Sequence, residues 1–406
     1  MRQEELSEGR WFGPQTEGKQ RWVVLAVIYA CILAYAISLQ SAPPNLGLII
    51  AELGLTHTQG GLLMSFFALP GIIVCIPAGI LADRFSQKKI GIISLILVIT
   101  GSVMFASGAN FPVLALGRAI SGIGSLTLAV ICPQLVVQWF TGHRLGTAMG
   151  ILNTAFPIGT VLSLNILSII SSSLGWRTSI WLSTGVSLAA LVIFAWLYAP
   201  APQVRLQPSL PSEGFFHSIQ QAGTPIWLVA AAWMLYNASL ISLHTFTPDL
   251  LRASGFSLTS AGFITSLVMF PAMILNPLVG YMVDKIGHKR VIISSGALAF
   301  AILVVFVPWA GGLIPALMVL IGLAWLPAPA PIFILAADVV SSKRLGLGYG
   351  ILSTCQNIGV LFGPAVTGLL RDITGSYQAS YAMMSGFVFM VIPTLYFLKY
   401  TSKQLS

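Results

Sequence analysis

Charge is what this chain has least of. Only 8% of its 406 residues are Asp, Glu, Lys or Arg, against 56% that are hydrophobic, whereas a soluble globular domain carries about 25% charged residues. So few charges cannot cover a water-facing surface of this size, which makes lipid the expected solvent. Cysteine is also scarce. Cys31, Cys75, Cys132 and Cys355 fall in apolar runs without CxxC spacing, which suggests neither a disulfide frame nor a metal site. No span pairs a nucleophile with a base or offers metal-ligand spacing, so neither an enzyme nor a cofactor is expected. A net charge of +9 could suggest nucleic acid, but the basic residues are spread through short loops, and no nucleic-acid partner is expected. The start up to Arg21 lacks the basic start and apolar core of a signal peptide. The first span is expected to act as an uncleaved insertion signal.

What the chain does have is long apolar runs. About 20 apolar residues cross a bilayer as a helix, and only helices and closed barrels satisfy their backbone in lipid. Helical spans are predicted near 22–45, 59–82, 90–108, 112–138, 146–171 and 178–199, and again near 226–248, 260–283, 291–309, 313–337, 346–370 and 379–398. The fold class is therefore an all-α membrane protein with twelve transmembrane helices in two halves, 1–199 and 226–406. The Pro/Ser-rich stretch 200–225 links them, and Phe215–Gln221 within it could form a short surface helix or plain coil. Sixteen of the 20 Lys and Arg fall in the termini, the linker and the loops on its side; the opposite loops hold Arg177, Arg252 and Arg371, and Arg118 lies inside span 4. The positive-inside rule then places both termini in the cytoplasm. A cell inner (plasma) membrane, a bilayer partner and a monomer are the matching expectations.

The sequence repeats itself. HRLGTAMGILNTAFPIG at 143–159 aligns with KRLGLGYGILSTCQNIG at 343–359, and GILADRFSQKK at 79–89 with GYMVDKIGHKR at 280–290. Apolar bias can imitate similarity between two spans, but it does not place Asp, basic residues and glycines at one offset. Six helices separate the copies, so the halves run in the same sense, related by an axis along the membrane normal.

With these motifs the chain resembles the major facilitator superfamily. Gly79, Asp83, Arg84, Lys88 and Lys89 look like its motif A, and Gly280, Asp284, Lys285, Gly287, Lys289 and Arg290 form a second copy. The first copy has Ser86 where glycine is usual. Arg118 to Gly122 resembles motif B, with Ser121 where glutamine is common, and the glycines and prolines of spans 5 and 11 are similar in kind to motif C. The resemblance implies two halves rocking around a central site by alternating access. It also implies that Asp83 latches onto the start of span 11 and Asp284 onto the start of span 5, each carboxylate gaining about 0.3–1 kcal/mol at a helix N-terminus. Within the superfamily the chain looks most like bacterial permeases of the cyanate, nitrate or monocarboxylate sort. Efflux of hydrophobic compounds, or a non-transporting sensor on the same fold, are the alternatives.

Arg118 is the only formal charge well inside a span. Burying it costs about 2.5–3.5 kcal/mol on insertion scales, so it should face the bundle interior or a wet cavity. Two readings stay open: an anchor for an anionic substrate, which a guanidinium holds bidentately, or a scaffold bonded to neighbouring carbonyls. Candidate substrate-binding residues are Arg118, Gln134, Gln138, Tyr29, Asn153, Tyr236, Asn237, Trp325 and Gln356, with Tyr35, Trp233, Asn276 and Asn357 as further lining. Each could instead be interhelical glue. Glycines at 146, 150 and 159, and at 346, 350 and 359, should let spans 5 and 11 approach their neighbours closely. Pro327, Pro329 and Pro331 of span 10 should free backbone carbonyls at mid-membrane, an irregularity that either lines a cavity or makes a packed kink. No carboxylate lies deep in a span; His244 is the possible proton site. The partners implied are a small-molecule substrate, organic or inorganic anions among them, with a coupling proton or a counter-substrate.

Overall fold

The computed structural model describes the backbone of residues 14–84, 86–140, 143–199, 223–275, 288–340 and 345–404, and side chains for all of these except 14–19, 76–84, 143–147, 337, 345–347 and 399–404. Among the described residues there is no strand. The N-terminal half consists of span 1 (Gln20–Leu53), span 2 (His57–Arg84), span 3 (Gln87–Ser107), span 4 (Phe111–Trp139), span 5 (His143–Leu162 continuing through Ser168–Leu174) and span 6 (Trp176–Leu197). The C-terminal half consists of span 7 (Thr224–Ala253), span 8 (Leu258–Leu275), span 9 (Lys289–Trp309), span 10 (Gly311–Ala336), span 11 (Leu345–Thr374) and span 12 (Tyr377–Leu398). The linker's 200–222, with the short helix considered there, lies outside the described residues.

Eleven of these helices are both long and apolar enough to cross a membrane. Span 11 is the twelfth: its 30 residues are ample, but Gln356, Asn357, Arg371 and Asp372 lower its apolarity. It packs chiefly against spans 2 and 7, so more of its surface meets protein than a peripheral span's would. The interior divides accordingly. One apolar cluster fills the C-terminal half around Trp233, Tyr236 and Phe300, and another fills the N-terminal half around Ile28, Leu135 and Phe194. A third, around Phe67 and Phe105, takes in Ile241 and Val360 from the other half.

Two spans are broken where prolines remove donors. Span 1, expected to be one helix, stops at Leu39, passes through a 3-10 turn at Pro43–Asn45, and resumes at Leu46–Leu53. A proline has no N–H, so Pro43 and Pro44 cannot bond the carbonyls four residues back, Leu39 and Gln40. Span 10 breaks between Trp325 and Pro329, within its proline series. Span 5 carries a π-helical turn at Ser163–Leu167, a local widening common at functional sites.

The face opposite the linker, here the far side, holds the two halves together. Asn165 donates to Ser266 Oγ at 2.9 Å between spans 5 and 8, and Ser65 donates to the Leu361 carbonyl between spans 2 and 11. Glycine permits this closeness. A Cβ on Gly61 would overlap the Pro364 carbonyl, and one on Gly262 the Leu164 carbonyl. The glycines singled out in the repeat behave unevenly. Gly159 abuts Ala36 and Gly359 the Met234 carbonyl, but a Cβ at Gly150 or Gly350 would meet nothing within 4 Å. The expectation of close approach is corrected at those two, where a Cβ would enter open space. Gly146 and Gly346 lie outside the residues whose surroundings are described.

If the spans 5 and 8 contact is a closing surface, Gly262→Val should force the far side apart. The check is the thiol modification rate of a Ser266→Cys probe, expected to rise severalfold in the valine background; an unchanged rate would mean the seam closes elsewhere.

Candidate functional site

The site is built downward from the far side, at 1.5 Å of rise per helical residue. At the top, Asp372 of span 11 caps the start of span 2 from across the seam. Its two oxygens accept from the backbone N–H of His57 (2.9 Å) and of Thr58 (2.7 Å) and from the Thr58 hydroxyl (2.5 Å). The His57 ring lies between two carboxylates, Nδ1 at 3.0 Å from Asp372 and Nε2 at 3.3 Å from Asp249 of span 7. Tyr377 of span 12 donates to Asp249. Glu52, beside this group in sequence terms, turns the other way and pairs with Trp176 and Arg177 inside its own half.

Below this lies Arg118, 1% exposed. Its donors go to protein: Nη1 to the Ser38 carbonyl at 2.7 Å, Nη2 to the Leu39 carbonyl at 2.9 Å and to Met64 Sδ at 3.4 Å, and Nε to the Leu63 carbonyl at 3.1 Å. Phe67 and Phe105 face the guanidinium at 4.4 and 5.4 Å, adding cation–π attraction where no acid is available. The Leu39 carbonyl is one that the prolines orphan. The other, Gln40, accepts from Ser163 Oγ at 2.7 Å, from the π-helical turn of span 5. The residue named as a possible anion anchor is thus occupied as a cap on the broken end of span 1.

Beside that cap, Gln40 Nε2 sits 3.2 Å from His244 Nδ1, a contact between spans 1 and 7 across a sequence separation of 204. Both residues are fully buried. If the amide donates, the ring is neutral with its proton on Nε2; that atom and Gln40 Oε1 have no partner among the described residues.

At mid-membrane depth the halves offer matching groups. Tyr29 and Trp233 repeat the spacing of Gln40 and His244. Tyr29 Oη bonds Thr154 Oγ1 of span 5 at 3.1 Å, and since Thr154 itself donates to Ile151 O, the tyrosine is the donor. Trp233 Nε1 donates to Gln356 Oε1 of span 11 at 3.1 Å. Trp233 continues into an aromatic row with Phe333 and Tyr349. Asn357 reaches Cys75 Sγ at 3.6 Å, the innermost of the seam contacts described so far. Nearer the linker side, Gln134 and Gln138 are half-buried and Asn153 exposed, and none makes a side-chain hydrogen bond among the described residues.

Other candidates are used elsewhere. Tyr236 is buried in the C-terminal core, donating to the Ile293 carbonyl at 3.1 Å and stacking on Phe300. Asn237 turns back on the Trp233 carbonyl of its own helix at 2.8 Å, and Trp325 packs between two apolar clusters. The side chains of Gly79, Asp83 and Arg84, with Gly280, Asp284, Lys285 and Asn276, lie outside the described residues, so the two latches do too. Arg290 is half-buried in the first turn of span 9, beside Lys289, which pairs with Asp338 at 2.5 Å. Sequence reading missed His57 and Asp372, because single charged residues at span ends look like ordinary topology markers. Only their opposition across the seam distinguishes them.

Removing Arg118 would strand buried carbonyls at about 1–3 kcal/mol each. Arg118→Gln should therefore lower the thermal-unfolding midpoint in detergent, while the surviving folded protein keeps its ligand affinity within about tenfold. Intact stability with abolished anion binding would restore the anchor reading.

Comparisons with known proteins agree with this architecture. The family model described as Major Facilitator Superfamily matches residues 28–249 and 226–405. The probable sulfoacetate transporter SauU of Cupriavidus necator is 26% identical over 396 residues, 89% of each chain. The lysosomal dipeptide transporter MFSD1 of Bos taurus is 25% identical over 347 residues, 80% of this chain and 74% of the bovine one. The hexuronate transporter of Bacillus subtilis is 23% identical over 358 residues, 82% and 84% of the two chains. Among solved structures, the nucleoside transporter NupG superposes with a TM-score of 0.74 at 14% identity, over 93% of this chain and 98% of that one. A bacterial homologue of the human lysosomal transporter Spinster, inward-facing and unoccupied, gives 0.71 at 17% identity, over 93% and 95%. Two six-helix halves that meet at the far side and match at their centre among the described residues make a transporter, and the chain belongs to the Major Facilitator Superfamily.

Proposed function

We propose that this chain carries a small carboxylate-bearing solute by alternating access, and that the structure is its far-side-closed state. The observation that carries the mechanism is the far-side seam. The polar contacts traced between the halves, from His57–Asp372 down to Cys75–Asn357, occupy the far side and the membrane centre. Rocking the halves about the centre would break these contacts and expose Tyr29, Trp233 and Gln356 to the other face. The Lys/Arg distribution supports a cytoplasmic linker and termini in a plasma membrane, which makes the closed far side the outer face.

The cargo class rests on shared chemistry. Dipeptides, sulfoacetate and hexuronates, the solutes named for the three relatives, all carry a carboxylate. With Arg118 committed to carbonyls, the groups a cargo can recruit are neutral donors: the Gln356 amide at the centre, the Gln134 and Gln138 amides nearer the linker side, and the Tyr29 hydroxyl and Trp233 indole N–H once they exchange Thr154 and Gln356 for the cargo. A carboxylate accepts up to about four hydrogen bonds, and each neutral donor it keeps supplies direction without trapping it by net charge.

Counterflow in proteoliposomes tests the reading. Short carboxylates, a sulfonated carboxylate, a hexuronate and dipeptides should compete for uptake, while neutral sugars and nucleosides should not. Losing one hydrogen bond to a charged cargo is worth about 1.5–3 kcal/mol, so Tyr29→Phe should raise the half-saturation concentration at least tenfold. Competition by neutral solutes alone would reject the carboxylate assignment.

A further inference from the structure

The group at the far-side seam is built around one titratable ring, His57. Asp372 Oδ1 lies 3.0 Å from His57 Nδ1, and Asp249 Oδ2 lies 3.3 Å from His57 Nε2. An ionised carboxylate can only accept hydrogen bonds, and a neutral imidazole has one N–H to give. Satisfying both carboxylates therefore needs a hydrogen on each ring nitrogen, which is the imidazolium. Both carboxylates are held as acceptors by other donors. Asp372 takes two backbone N–H groups and the Thr58 hydroxyl, and Asp249 takes the Tyr377 hydroxyl. The ring comes from span 2 of one half and the two acids from spans 7 and 11 of the other, so the ring stands between both carboxylates only when the halves meet on this side.

We propose that closing the far side takes up a proton on His57, and that opening it releases one. The inference rests on the alternating-access reading for its direction, but its test reads the gate and not the cargo.

Charges around the ring act in both directions. Asp249 and Asp372 favour the imidazolium. Arg371 of span 11, whose guanidinium sits 4.6 Å from the Tyr377 ring, opposes it, as does the positive end of span 2 on which His57 stands. Arg252 of span 7 lies against Gly47 beside Asp249 and competes for that carboxylate. Span 1 contributes Gly47 to this contact, and its Glu52 is committed to Arg177. Span 12 contributes Tyr377. The net balance needs both acids ionised, so the closed window is bounded on two sides. It fails in acid when the carboxylates gain protons, and at higher pH when the imidazolium loses one.

His57 is partly accessible, its side chain 25% exposed, so protons can reach it from the far-side solution. A carrier built this way would close on that side more readily as the solution there becomes more acidic. A deep carboxylate is then not needed for proton sensitivity, and His244 is free to act as a neutral member of its pair with Gln40.

The experiment places spin labels at Ala51 and Gln378, both exposed on the far side and in opposite halves, and measures their separation by pulsed EPR between about pH 5 and about pH 9, a range that brackets the ordinary histidine value of about 6.5. The short-distance population should dominate at the acidic end and give way to a longer one as pH rises. His57→Gln, which keeps one hydrogen-bonding arm and cannot be charged, should lose the pH response. Asp249→Asn should keep a response but move its midpoint down by about one pH unit or more, since an opposite charge at this range is worth about 1–3 units. A distance distribution that stays flat in the wild type overturns the proposal, and so does a response that survives in His57→Gln. A midpoint unmoved in Asp249→Asn would also overturn it. Each variant is first shown to be folded by its thermal-unfolding midpoint. Loss of carboxylate counterflow with an intact pH response would instead count against the cargo assignment alone.

Discussion

Two consecutive prolines in span 1 and one arginine in span 4 form the contact on which the rest of the structure is arranged. Pro43 and Pro44 leave the Leu39 and Gln40 carbonyls without their helical donors, deep in the far-side half of the bundle. In lipid an unpaired carbonyl has no water to turn to. Arg118 takes one of them, with its neighbour at Ser38, and Ser163 takes the other. The charge of the guanidinium and the negative end of the broken helix neutralise each other, so a buried cation needs no acid. Spans 1, 2, 4 and 5 are tied at one level by this arrangement, and the upper piece of span 1, Leu46–Leu53, is thereby set at the seam, where Gly47 meets Asp249.

The duplication explains why the two halves match and where they cease to. Gln40 and His244 occupy equivalent places and bond each other; Tyr29 and Trp233 are equivalent and each bonds a side chain of the fifth span of its half. Asn45 and Asp249 share the same spacing but not the same role. Asn45 is satisfied within its own half, donating to Ser179 and to the Ser41 carbonyl and accepting from Ser171. Asp249 carries a charge and turns outward to His57. An amide replaced by a carboxylate at one of two related positions converts an internal tie into a contact between halves, because a carboxylate has acceptor capacity that its own half does not fill.

Close approach and polar locking divide the labour at the seam. Gly61 and Gly262 bring backbones together so tightly that no side chain fits between them; such contacts are strong only while the geometry is kept. The hydrogen bonds of Asp372 to the start of span 2 add direction, and as a helix cap they serve the N-terminal half only while the C-terminal half is in place.

The sequence by itself determined that the chain is a helical membrane protein with twelve spans in two repeated halves, since lipid admits few backbone solutions and the Asp, Gly and basic positions recur at one offset. It also isolated Arg118, because a single charge among apolar residues cannot be incidental. It did not determine what Arg118 bonds: the carbonyls it caps become orphans only when span 1 breaks at its prolines, and they meet span 4 only in the folded bundle. Span 11 was legible as a repeat of span 5, but its burial between spans 2 and 7 was not. The place of Tyr236 inside a core and of Tyr29 at the centre could not be told apart, since both are tyrosines in apolar helices. His57, Asp249 and Asp372 stand at the ends of three different spans, and hydropathy and spacing treat such residues alike. Their meeting depends on how two halves dock, and that is decided by contacts between residues 192 to 315 positions apart, which only the tertiary structure supplies.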